Sequence, residues 1–123
     1  IVMESNSRAK VLRFYVSSTD VVKHTSVYET IAFAAKKHGL AGATVYKGIM
    51  GYGASSELHS DKFWEMIDKV PVIVEIVDTE EKINSFLDVV LPWIKQLPKG
   101  CMVTCQDTNV ILIKNGQSPS SKE

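Results

Sequence analysis

Gly48, Gly51 and Gly53 stand in the spacing Gly-x-x-Gly-x-Gly, directly after the strand-like residues 43–47. A small polar run holding Ser55, Ser56 and His59 follows them. A strand that opens into a Gly- and Ser-rich arm can present backbone N–H groups to an anion. The candidate ligand-binding set is therefore Tyr46, Lys47, Gly48, Gly51, Tyr52, Gly53, Ser55, Ser56 and His59. Two readings compete for the glycines. They cradle a phosphate-like group, or they form a bulged strand end that needs positive φ. A dinucleotide fingerprint is excluded, because the spacing is reversed and no capped helix follows directly. His59 either touches a ligand and senses pH, with an ordinary pKa of about 6.5, or is a solvated loop residue.

Other reactive side chains form no catalytic constellation. Cys101 and Cys105 lie four apart in a strand-like run. At about 3.3 Å per residue that places their Cα atoms roughly 13 Å apart, well beyond the roughly 7 Å reach of a disulfide. They read as free thiols buried in a strand, as suits a reducing cytoplasm. A nucleophilic role would need a neighbouring base and an electropositive setting, and neither is visible. His24, His38 and His59 are scattered without metal-ligand spacing. Asp78 reads as a helix cap. Glu75, inside an apolar strand, reads as paired with Lys47 or Arg13, or as placed at a subunit interface. No catalytic residue is assigned, and the chain is not expected to be an enzyme.

Elements that would position these residues follow from periodicity. Residues 10–16 alternate and are rich in β-formers, so they form a strand. Residues 17–24 read as a loop. Ser26 and Glu29 make a capping box, and Tyr28, Ile31, Ala32 and Ala35 follow at helical spacing. Gly39-Leu40 reads as a left-handed C-cap. Residues 60–69 read as a short helix or ordered arm around Phe63 and Trp64. Residues 70–77 are almost wholly β-branched and predict a buried central strand. A second capping signal at 78–81 opens an apolar stripe of Ile83, Phe86, Leu87, Val90, Leu91 and Ile94, with Pro92 expected to kink or end the helix near Leu91. Residues 102–104 and 110–113 give the last strand signals.

The order is β-α-β, arm, β-α-β and a short extra strand, an α+β, ferredoxin-like split βαβ plan. One domain is expected over 10–114, with a flexible lead-in at 1–9 and a disordered tail at 115–123. Both helices would cover one face of the sheet. The other face, apolar and bare, predicts a partner sheet, most simply a second copy. Apolar residues are 45% of the 123, enough for a core without staples. Lys+Arg and Asp+Glu balance at 14 each, which argues against nucleic acid as main partner. Residues 72–77 also lack the aromatics of an RNA-recognition sheet. No apolar run approaches the roughly 20 residues of a membrane span, and residues 1–10 lack a signal-peptide core.

Residues 42–59, followed by 71–83, closely resemble an uncharacterised bacterial and archaeal family. It is a domain of unknown function, numbered one-ninety, grouped with the PII-like proteins. The resemblance covers roughly 10–113. It implies a cytoplasmic ferredoxin-like subunit that assembles as a homotrimer and binds a small anionic effector, such as a nucleotide, in clefts between subunits. It also implies that the arm is a T-loop touching a partner protein, with residues 46–48 and 51–53 at its base and 54–61 as the loop. Ordinary PII proteins carry a longer Gly- and Lys-rich phosphate loop after the second helix. This chain has only Pro98-Lys99-Gly100 there, and the Arg-rich PII chain end is missing. The related trimeric cation-tolerance proteins suggest an alternative, a divalent-metal-responsive protein using His59 or the thiols. The sequence names no cofactor.

Overall fold

The computed structural model describes residues 4–52 and 69–117. The long strand β1 (Ser7–Ser17) is followed by the two-residue strands β2 (Val21–Val22) and β3 (Thr25–Ser26). Helix α1 (Val27–Lys37), strand β4 (Ala43–Lys47), strand β5 (Pro71–Asp78), helix α2 (Glu80–Lys95) and strand β6 (Met102–Val110) complete the order. The main sheet runs β4-β5-β1-β6, and each neighbouring pair is antiparallel. That makes β4 parallel to β1, and β6 parallel to β5, so two βαβ units interleave. This is the ferredoxin-like plan that the element order predicts.

Helices α1 and α2 lie on one face of the sheet. Successive side chains of a strand point to opposite faces. Leu12, Phe14 and Val16 of β1, with Val72, Val74 and Ile76 of β5, join Val27, Ile31 and Ala35 of α1 and Ile83, Phe86 and Val90 of α2 in one core. Phe14 and Phe86 meet edge to face with centroids 6.2 Å apart, and His38 covers Phe86 at 5.7 Å. The predicted helix stripes are thus the buried ones.

The helix ends refine the expected caps. Ser26 is the N-cap of α1. Its hydroxyl donates to Glu29 Oε1 at 2.8 Å instead of capping a backbone N–H. At the other end Gly39 takes φ +75°, a left-handed conformation that costs glycine little. The Leu40 amide then returns to the Ala35 carbonyl at 3.1 Å. For α2 the cap is Thr79, which accepts from the Lys82 amide at 3.3 Å. Asp78 has another task. Almost wholly buried, it accepts from the Thr79 amide at 2.7 Å and the Ala41 amide at 2.8 Å. It thereby pins the start of β4 to the end of β5.

Four expectations are corrected. Helix α2 passes through Pro92 to Lys95. Pro92 and Asp88, whose carbonyl loses its intrahelical partner, are exposed, and water can satisfy that carbonyl. Trp93, Ile94 and Leu97 pack on the core and hold the last turn in place. Within 17–24 the chain forms the β2 arm of a hairpin rather than a plain loop. Lys23 (φ 51°) and His24 (φ 67°) make its turn in left-handed conformations. Residues 102–110 form one continuous strand. Beyond it, Ile111 accepts from the Asn6 amide at 3.3 Å, and the Ile113 amide donates to Ser5 Oγ at 3.0 Å. Strand β1 begins at Ser7, and Ala9 is buried. The expected arm over 60–69 lies outside the described residues except Lys69, and the expected tail outside them from 118 on.

Candidate functional site

Strand β4 is the outermost strand on its side, and all five of its residues are exposed. Its end carries the candidates. Gly48 continues the ladder by one bond, its amide donating to the Pro71 carbonyl at 2.8 Å. The Gly48 N–H is thus consumed within the chain and is not free for an anion. A Cβ on Gly48 would meet Pro71 Cγ at 2.7 Å, and one on Gly51 would meet the same atom at 3.0 Å. Neither glycine has a left-handed φ. What they supply is room for the chain to pass over the Pro71 ring. The positive-φ reading therefore does not hold for this pair, and the Gly48 N–H is not open to a ligand.

The side chains around these glycines face outward. Tyr46 is exposed, as are Met50 and Tyr52, and Ile49 is 94% exposed. Lys47 is exposed at the strand end. The structure brings Tyr46, Lys47, Gly48, Gly51 and Tyr52 together at the mouth of the arm. Gly53, Ser55, Ser56 and His59 lie outside the described residues, as do Phe63 and Trp64.

Tyr46 reaches further than its position suggests. Its hydroxyl donates to Glu75 Oε2 at 3.1 Å. The same oxygen accepts from Arg13 Nε at 2.8 Å, and Arg13 Nη1 donates to Gln106 Oε1. Each of the four main strands contributes one member, so a polar row crosses the face away from the helices. Between the two sequence-level partners for Glu75, Arg13 is the one bonded. The hydrogen bond to Glu75 raises the Arg13 pKa above its ordinary value. Burial, then the bond to Glu75, raises that of the Tyr46 phenol, so both donors keep their protons at neutral pH. Sequence reading saw the Glu75 pairing but missed the row. Finding Tyr46 and Gln106 in it required the register, which sets each diagonal to its partner.

That face is not wholly bare. Ala9, Val11 and Ile73 are buried on it, apart from the core cluster. Beside the row an open groove runs between Ala43, Thr44, Glu75 and Val77 on one side and Val110 and Leu112 on the other. The thiols are not the buried pair expected. Cys101 is half-buried and Cys105 exposed, and both are free. Burial, with Asp20 adding, pushes the Cys101 thiol up to about 11. Strand β6 is an edge strand, paired with β1, and its central residues Cys105, Gln106 and Asp107 are exposed. A separate surface cluster joins Lys10 to Asp107 and, at 3.7 Å, to Glu80. Among the described residues no group of three or more His, Cys, Asp and Glu could hold a metal ion, and no helix is long and apolar enough to cross a membrane.

The sequence profile of DUF190, described as Uncharacterized ACR, COG1993, matches residues 9–110. The chain belongs to that family. A DUF190-type relative from Aquifex aeolicus (strain VF5), named UPF0166 protein, is 36% identical over 106 residues, covering 86% of this chain and 96% of its own. A UPF0166 protein from Methanocaldococcus jannaschii is 41% identical over 80 residues, covering 65% of this chain and 73% of its own. Among solved structures, CPII from Thiomonas intermedia K12, bound to ADP, AMP and acetate, superposes with TM-score 0.59 at 16% identity. It covers 84% of this chain and 88% of its own. A putative PII-like signalling protein from Thermus thermophilus gives TM-score 0.57 at 13% identity, over 85% of this chain and 90% of its own. The DUF190 chain therefore has the PII-like fold.

Proposed function

We propose that this chain is a PII-like regulatory subunit, not an enzyme, that works in the cytoplasm as a homotrimer. It binds a small anionic effector, in the first place an adenine nucleotide, in clefts between subunits at the base of the arm. Residues 48–61 then carry the state of the site to a partner protein. The observation that carries the reading is the exposed end of β4, where Tyr46 and Lys47 lead into the narrow passage over Pro71. Lys47 supplies a positive charge, and Tyr46 and Tyr52 offer ring faces on which a base can stack. Gly53, Ser55, Ser56 and His59 complete the proposed set. The likeness to a PII-like protein crystallised with ADP and AMP supports the choice of ligand class.

A thermal-shift panel with adenine and guanine nucleotides, cyclic nucleotides and divalent metals tests it. Ligand at about 100 times its dissociation constant adds about 2.7 kcal/mol of stability. The expected result is a shift from one nucleotide that Lys47→Ala abolishes without altering the unliganded melting temperature. A shift from metals alone, lost in His59→Ala, would replace the reading with the cation-responsive alternative. No shift from any compound would remove the effector from it.

A further inference from the structure

We propose that Glu75 is a positioning residue for the effector site: it tethers the Tyr46 phenol, so that the ring stands ready as the platform on which a nucleotide base stacks. The inference rests on the effector reading above and deepens it, because it puts a determinant of affinity on β5, outside the arm. Tyr46 lies on the edge strand β4 and is 42% exposed. An exposed side chain of this kind ordinarily changes rotamer within nanoseconds. Here the hydroxyl is tied. It reaches past its cross-strand partner Ile73 to Glu75, further along β5, and donates to Oε2 at 3.1 Å. Ile73, buried on the same face, stands directly opposite Tyr46 and within reach of its ring. The ring is thus anchored at its hydroxyl and still open to solvent.

The carboxylate is itself held. Arg13, directly opposite Glu75 in the ladder, donates from Nε to the same Oε2 at 2.8 Å, and Gln106 accepts from Arg13 Nη1. The groups form one chain of hydrogen bonds from β6 to β4 that ends at the phenol. The Arg13 and Glu75 side chains are 25% and 27% exposed, so solvent screens the pair and its contribution to fold stability is small. What the chain of bonds does supply is a fixed Tyr46 rotamer. Ordering a side chain costs free energy when it happens on binding. A ring ordered beforehand spares the ligand that cost, and base–aromatic stacking then shows in full. Because the phenol proton is already committed to Glu75, Tyr46 meets the base through its ring and not by donating to it.

The test titrates ADP into the full chain by isothermal calorimetry. Tyr46→Phe keeps the ring but cuts the tether, and the dissociation constant is expected to rise about three- to tenfold. Glu75→Ala cuts the tether from its other end and is expected to give the same rise. The double variant Tyr46→Phe/Glu75→Ala is expected to bind no more weakly than either single one, since both remove one bond. Glu75→Gln is expected to bind like the wild type, because its amide oxygen accepts from both donors. A Glu75 that served the fold alone would not show its loss cancelled by Tyr46→Phe. Either single variant binding as tightly as the wild type would overturn the inference. So would additive losses in the double variant, or a Glu75→Gln as weak as Glu75→Ala. Should Glu75→Ala unfold by circular dichroism with Arg13 left unpaired, Arg13→Met/Glu75→Leu removes the tether and the stranded charge together. It is expected to show the same rise, and wild-type affinity in it would overturn the inference. A wild type that binds no ADP would overturn the adenine-nucleotide reading itself and the inference with it, so the two failures read differently.

Discussion

Gly48 and Cys101 show how far a residue type falls short of a role. In Gly48→Ala the new methyl group must displace the Pro71 ring, since the clash distance is 2.7 Å. The expected loss is about 1–3 kcal/mol of stability. Pro71→Ala clears the space, so chemical denaturation of the double variant should return most of the loss, a coupling that a ligand-cradling glycine would not show. At the thiols, raising the Cys101 pKa to about 11 keeps it neutral at pH 8. Only the thiolate alkylates readily. Iodoacetamide at pH 8 should therefore label Cys105 well before Cys101, as read by mass spectrometry of the peptides. The linkage has a definite sign. A thiol pKa above its ordinary 9.0 means that the folded state favours the neutral form. Its contribution is complete below pH 9 and is lost as the pH rises from about 9 to about 11. Both outcomes exceed what the sequence could say. Glycine spacing announces a special backbone but not whether a ligand or a neighbouring ring demands it. Four-residue cysteine spacing shows that no disulfide forms, but not that β6 lies at an edge.

Elements were more legible than residues, because capping and periodicity are local. The apolar stripes of α1 and α2 and the β-branched run of β5 face the core as their spacing requires. Two failures have physical reasons. Pro92 reads as a helix stop when the helix is considered alone. Core contacts of Trp93, Ile94 and Leu97 override that local signal. The β2–β3 hairpin escaped because its turn residues are Lys23 and His24, where Asn-Gly would have announced two positive φ angles. The same fact gives a prediction. Replacing Lys23-His24 by Asn-Gly relieves two strained side chains and should raise stability by about 1 kcal/mol, measured by urea unfolding with unchanged m-value. A loss of stability would mean that contacts of these side chains outweigh their backbone strain.

At the scale of the molecule, the described residues build one core between a four-stranded sheet and two helices, and it carries the stability. Phe86 sits at its centre, fully buried against Phe14. Phe86→Ala should cost about 3–5 kcal/mol, a large share of the roughly 5–15 kcal/mol typical of a domain. Guanidinium unfolding should show the midpoint falling accordingly, whereas Phe33→Ala on the exposed side of α1 should change little. The ferredoxin-like plan was readable because two βαβ patterns repeat along the chain. The polar row was not, since its four members come from positions 13, 46, 75 and 106 and meet only once the register is set. The central strand β1 pairs with the last strand, Ser7 opposite Val110. During synthesis, β1 must therefore wait for the chain up to Val110 before one of its two edges is closed. Until residues near 110 leave the ribosome, that edge offers a row of unpaired amides and carbonyls to any extended chain nearby. This topology makes closing that edge a late, long-range step of folding, and makes the chain before it a natural client for chaperones that bind extended segments.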